Sequence, residues 1–203
     1  MTDNLQPEET ENIFVNTYYP NGNIQIEELC QDSKLCDLTG VIAYYQNGQI
    51  RYRSLYYNNV PHCENGPAVI EYYENGNIWS EKWYYHGKLH RKDGPAEITY
   101  HQDGRIKFES WYQNGNSCRK NNQPAEITYY PNGNIWIEEW YQDNKLHSLN
   151  DKPAKILYNS NGDVHIERWY HCGKLHRDNN PAYVKYYYNN KIEKWYYNGK
   201  IIN

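Results

Sequence analysis

The chain has 203 residues, a net charge of −4 and an isoelectric point near 6.1. That balance excludes the basic footprint that nucleic acid or an anionic membrane surface selects, and apolar runs of only a few residues exclude a membrane-spanning helix. Ile, Leu, Val and Phe supply only 35 residues against 24 Tyr and 7 Trp, so the apolar surface is carried by amphipathic rings. These suit a thin layer with one wet edge and not a thick aliphatic core.

Residues 1 to 11, MTDNLQPEETE, are acidic and polar, lack the character of a targeting segment, and read as a disordered tail. Residues 12 to 203 read as a single array of one motif written about seven times. YYPNGNIQIEELCQDSKLC begins at Tyr18 and YYQNGQIRYRSLYYNNVPHCENGPAVIE at Tyr44. Four fuller copies follow over 72–99, 100–128, 129–157 and 158–185, and a truncated copy closes the chain from Tyr186. The turn residues Gly22, Gly48, Gly76, Gly104, Gly133, Gly162 and Asn190 stand 26, 28, 28, 29, 29 and 28 apart. The extra residue in two copies falls between Cys118 and Pro124 and between His147 and Pro153, where a loop absorbs it.

Each copy predicts strand, tight turn, strand. Asn-Gly or Asp-Gly between aromatic and β-branched runs predicts a hairpin turn with both central residues at positive φ. A second turn is expected at His86-Gly87, Asn114-Gly115, Asp143-Asn144, Cys172-Gly173 and Asn198-Gly199. A short KLH strand and a polar loop then lead to Pro67, Pro95, Pro124, Pro153 or Pro181, where a strand can start without donating to the ladder. Alternation puts Ile135, Ile137, Glu139 and Tyr141 on one face and Trp136, Glu138 and Trp140 on the other. The second set recurs as Glu81/Trp83, Glu109/Trp111, Glu138/Trp140 and Glu167/Trp169, the candidate binding ladder. The predicted fold is all-β: an elongated, twisted antiparallel meander of about seven tandem hairpins. Each copy is stabilised by covering its neighbour.

The pattern YYxNGxIxxExWYxxGKLH resembles MORN-type repeats in their variant form. It resembles most the longer version, with LHRxDGPA between hairpins, of tandem-repeat proteins from giant DNA viruses. The resemblance covers about residues 18 to 203. It implies a scaffold or binding surface, with lipid binding as a further property of some such arrays; the variant form also occurs in bacterial antitoxin components.

The chemistry-bearing side chains recur by position, which argues for architecture. His62, His90, His147 and His176 share one column with Cys36 and Cys118. Column neighbours two strands apart are separated by roughly 10 Å, too far to converge on one zinc ion, so no metal and no cofactor is expected. The column histidines are expected as half-buried rings whose N–H bonds the following loop. The ladder carboxylates repeat, whereas a glycosidase pair is unique, and are expected to take cross-strand Tyr, Lys or Arg partners. There is no GxSxG, P-loop or GxGxxG, so no catalytic residue is assigned and the chain reads as a non-enzyme. The stretch KWYYHGKLHRKDGPAEITY, 82–100, joins two copies and is not an active site.

Five cysteines (Cys30, Cys36, Cys63, Cys118, Cys172) with no CxxC and no N-x-S/T sequon point to a reducing, cytoplasmic compartment: host cytoplasm or virion if the source is viral. The expected partner is a protein, with a homodimer through an open C-terminal sheet edge, no nucleic acid, and membrane contact not favoured. The alternative is a module for lipid headgroups or a cationic small molecule, held by the aromatic ladder.

Overall fold

The computed structural model describes residues 12–31 and 38–202; the expected tail over 1–11 and Cys36 of the His/Cys column lie outside the described residues. No helix occurs among the described residues. Fourteen strands, from Asn12–Tyr18 to Asn190–Lys194, pair in sequence order as one open antiparallel meander. The all-β hairpin array expected from the repeats is therefore the fold.

Each full copy builds two hairpins of different size. The major one belongs to the long sheet, as in Glu126–Tyr129 with Ile135–Glu139. The minor one is a separate two-residue ladder, as in Tyr141–Gln142 with Lys145–Leu146. The meander is thus interrupted once per copy, and a tryptophan stands at each break. Trp83 N–H donates to the Ala96 carbonyl beyond the loop at 2.7 Å, and the Trp83 carbonyl accepts from His90 N–H at 2.9 Å. Trp111, Trp140 and Trp169 make the same pair of bonds.

The first turn differs from expectation. Gly133 N–H donates to the Tyr130 carbonyl at 2.9 Å, and only the glycine has positive φ, at 90°. Asn132 keeps ordinary backbone angles, and its Oδ1 accepts from Asn134 N–H at 3.0 Å. The ladder also skips a residue between Thr128 and Tyr129. This is a three-residue loop with glycine as a bulge residue. Asn-Gly serves both turn classes, and the closing bond between Tyr130 N–H and the Asn134 carbonyl selects the longer one. The second turn does place both central residues in the left-handed region, as at Asn114 (52°) and Gly115 (80°).

The last copy departs again. Tyr187 pairs directly with Asn190, so the turn shortens to Tyr188-Asn189 and puts Tyr188 at φ 45°. Its side chain is fully exposed, at 109%, so nothing offsets a conformation that costs a non-glycine residue about 1–2 kcal/mol. Tyr188→Asn is expected to stabilise this hairpin by about 1 kcal/mol, because Asn tolerates that region. Slower hydrogen exchange in Tyr183–Tyr187 and Asn190–Lys194 checks it.

The core is as thin as composition suggests. Ala68, Ala96, Ala125, Ala154 and Ala182 are 0–1% exposed. Each follows the loop proline, and Ala96, Ala125 and Ala154 bond the next strand, as in Ala125 N–H to the Glu139 carbonyl at 2.8 Å. The carbonyls of Ala96, Ala125, Ala154 and Ala182 each accept a tryptophan amide, and that of Ala68 accepts Leu55 N–H, giving an alternation of large and small along the sheet. A second row runs Ile70, Glu81, Ile98, Glu109, Ile127, Glu138, Ile156, Glu167 and Val184, each paired with the next.

Candidate functional site

The eight ladder residues lie in two adjacent rows of one face, and both rows are engaged within the array. Each carboxylate accepts a phenol from the next copy: Tyr100 to Glu81 at 2.8 Å, Tyr129 to Glu109 at 2.7 Å, Tyr158 to Glu138 at 2.6 Å, and Tyr186 to Glu167 at 2.6 Å. Tyr44 donates likewise to Glu27 at 2.8 Å. Burial first, and the facing carboxylate second, raise the pKa of Tyr100, Tyr129 and Tyr158 well above the ordinary phenol range and push Tyr186 up to about 12. An isoleucine stands between successive ladder carboxylates in their row, which holds them two strands apart, about 10 Å.

Three indoles of the ladder carry a guanidinium from their own copy. Arg91 lies 3.9 Å over the Trp83 ring, Arg119 3.7 Å over Trp111 and Arg177 3.9 Å over Trp169. Ser148 stands in the Arg position of the remaining copy, and Trp140 Nε1 donates to the Asn122 carbonyl at 3.0 Å. Trp169 Nε1 donates to the Asp151 carbonyl at 3.0 Å, while Arg177 grips the Asp151 carboxylate through Nε and Nη2 at 2.7 and 2.8 Å. The spacing Trp-x7-Arg, read at 83/91, 111/119 and 169/177, is the sequence trace of this stack; sequence reasoning passed over it. Between two such loops lies an open cleft of about 170 Å³, with Arg91, Lys92, Arg119 and Lys120 in its lining.

A second tyrosine in four of the first turns ties copies together, with His101 and Asn159 in its place in two others. Tyr19, Tyr45, Tyr73 and Tyr130 donate to the carbonyls of Tyr44, Tyr72, Tyr100 and Tyr158 at 2.7–2.8 Å. Asn77 and Asn134 send Nδ2 to the Gln102 and Ser160 carbonyls of the next turn at 2.7 and 2.8 Å. The abundance of Tyr and Asn therefore has a positional cause.

The opposite face holds a carboxylate pair that sequence reasoning missed. Glu126 and Glu139 are direct cross-strand partners. Burial, and next the Glu139 charge, raise the Glu126 pKa. Tyr141 and Ser110 donate to Glu126 at 3.2 and 3.4 Å, and Lys155 Nζ meets Glu139 at 2.8 Å. PAE in one strand followed by IEE in the next is its trace in the sequence.

The histidine column works in the reverse sense to that expected: the ring accepts. Nδ1 of His62, His90, His147 and His176 takes the backbone N–H of His86, Asn114, Cys172 and Asn198, at 3.0, 3.1, 3.3 and 3.3 Å. The donor is in every case the first residue of the next minor turn. Left-handed geometry turns that amide outward, where the preceding ring meets it. Around His147 this brings three ligand-type side chains together. One donor atom from each of His147, His171 and Cys172 lies within 4.8 Å of the other two. The rings of His147 and His171 are 5.2 Å apart, and His176 stands 5.7 Å from His171. Burial, and then the His171 neighbour, lower the His147 pKa from the ordinary histidine value. Cys63, Cys118 and Cys172 are free thiols.

No protein-family model matches this chain, and comparison with curated proteins finds no significant relative.

Proposed function

We propose that the chain is a non-enzymatic scaffold of MORN-type variant repeats that presents a rigid sheet to a protein partner and self-associates through an open edge. The observation that carries this reading is the internal use of the ladder. Its carboxylates hold phenols, and its indoles hold guanidinium groups or loop carbonyls. An aromatic cage for a cationic ligand needs a free indole face, so the occupied rings favour the scaffold over the lipid-headgroup or small-molecule reading. Trp79 and Trp136, 43% and 42% exposed, offer the partner a surface nearer the turns. The resemblance to viral repeat proteins supports host cytoplasm or virion as the place of action.

Self-association rests on the two outer strands, neither of which has an outer partner among the described residues. Asn190–Lys194 is blunted by Lys191, Glu193 and Lys194, the first two 2.6 Å apart. Asn12–Tyr18 carries no charge, and Phe14 and Val15 are more than half exposed. The N-terminal edge is therefore the stronger candidate for pairing, although the open edge expected from sequence was the C-terminal one. Sedimentation velocity over the micromolar range is expected to show a concentration-dependent dimer that Val15→Lys returns to monomer. A strict monomer at high micromolar concentration defeats the edge proposal.

A further inference from the structure

We propose that His147, His171 and Cys172 form a binding site for a transition-metal ion of the zinc class, built across the junction of two copies. The distance between column positions does not apply here, because only one ligand comes from the column. The other two come from the tip of the next minor turn, which folds back onto the preceding copy. Gly173 N–H donates to the Leu146 carbonyl at 2.9 Å, and Cys172 N–H donates to His147 Nδ1 at 3.3 Å. Backbone pairing thus places the tip before any ion arrives.

The donor set suits the ion. Two imidazoles and a thiolate match the borderline-soft preference of zinc and leave a fourth position for solvent. Donor atoms within 4.8 Å of one another need to close by roughly 1 Å to reach the separations that bonds of about 2.0–2.3 Å impose. His171 and Cys172 are exposed at the tip of a minor hairpin, where their side chains can turn toward half-buried His147. Binding replaces the S–H bond of Cys172 with a metal–sulfur bond, and the proton passes to solvent. His147 ligates through Nδ1, 4.0 Å from Cys172 Sγ. The Nδ1 lone pair exchanges the long bond from Cys172 N–H for the ion, while the Gly173–Leu146 bond keeps the tip in place. His176, beside His171 and 3.3 Å from Asp178 through Nε2, stands next to the site outside the proposed ligand set.

The array itself supplies substitutions that leave the turn intact. Asn fills the Cys172 position at Asn114 and Asn198, both at positive φ, and Gln fills the His171 position at Gln113 and Gln142. Cys172→Asn and His171→Gln should therefore fold with unchanged circular dichroism and unchanged Tm without metal. The reduced full chain, titrated with Co²⁺ and followed by absorption, is expected to bind one equivalent with a thiolate-to-cobalt charge-transfer band. Zn²⁺ should then displace the cobalt. Cys172→Asn should lose the band, and both variants should bind cobalt at least about tenfold more weakly. Zn²⁺ should raise the Tm of the parent chain and not that of Cys172→Asn. A parent chain without the band, or a Cys172→Asn chain that binds cobalt with parental affinity and stoichiometry, overturns the assignment.

Discussion

Trp169→Ala lowers the unfolding free energy of the array by about 3–5 kcal/mol. The indole is buried, packs with Ala182, Val184 and Tyr196, and has no other filler at the break between major and minor hairpins. Its loss also removes the Nε1 bond to the Asp151 carbonyl and the surface on which Arg177 lies. The Arg177–Asp151 pair that locks the loop then rests on nothing apolar. Urea unfolding of the variant against the parent measures the loss. Trp136→Ala is the control: that indole is exposed and touches mainly Tyr130 at 5.5 Å between ring centres, so its removal should stay within about 0.5 kcal/mol. Equal effects at the two positions defeat the assignment of Trp169 as a structural joint.

The array should also be unusually sensitive to alkali. The ladder phenols have folded-state pKa values above the unfolded value of 10.0, chiefly through burial and then through the facing carboxylates. Between the two values the folded chain binds more protons than the unfolded one, so stability falls as pH rises. The contribution is complete below pH 10, begins to fall there, and is lost as pH passes the folded values, about 12 for Tyr186 and higher for the others. Phenolate absorbance should therefore appear for these tyrosines together with loss of the β-sheet signal, not ahead of it. Tyr158→Phe should make the alkaline fall shallower and cost about 1 kcal/mol near neutrality, since a half-buried Glu138 loses its phenol donor. Ladder tyrosines that ionise near pH 10 in a folded chain rule the prediction out.

Repetition made much of this readable. The positions of turns and strands follow from Asn-Gly, the alternating faces and the loop proline, all within one copy. Tyr as a carboxylate partner was also readable in kind, because Glu on a strand needs a cross-strand donor. What failed to show were relations set by stacking. Tyr158 meets Glu138 across 20 residues, and Cys172 meets His147 across 25. Periodicity says that copies stack, but not which atom of one turn reaches which ring of the copy before. The direction of the His147 bond therefore inverted, and the His171-Cys172 dipeptide looked like scattered residues. The first turn failed for another reason. Asn-Gly fits both a two-residue and a three-residue loop, and only the closing pair distinguishes them.

The loops that absorb an extra residue have a consequence for size. Copies of 28 and 29 residues join the sheet through the same tryptophan–alanine bond, 2.7 Å at Trp83 and 2.8 Å at Trp111 and Trp140. Chain length per copy and distance per copy are therefore uncoupled. Each copy advances the sheet by two strand spacings, about 9.5 Å, whatever its loop contains. The molecule is in this sense a ruler with fixed graduations. Inserting a second copy of residues 129–157 after Leu157 should lengthen it by one graduation while leaving every existing pairing in place.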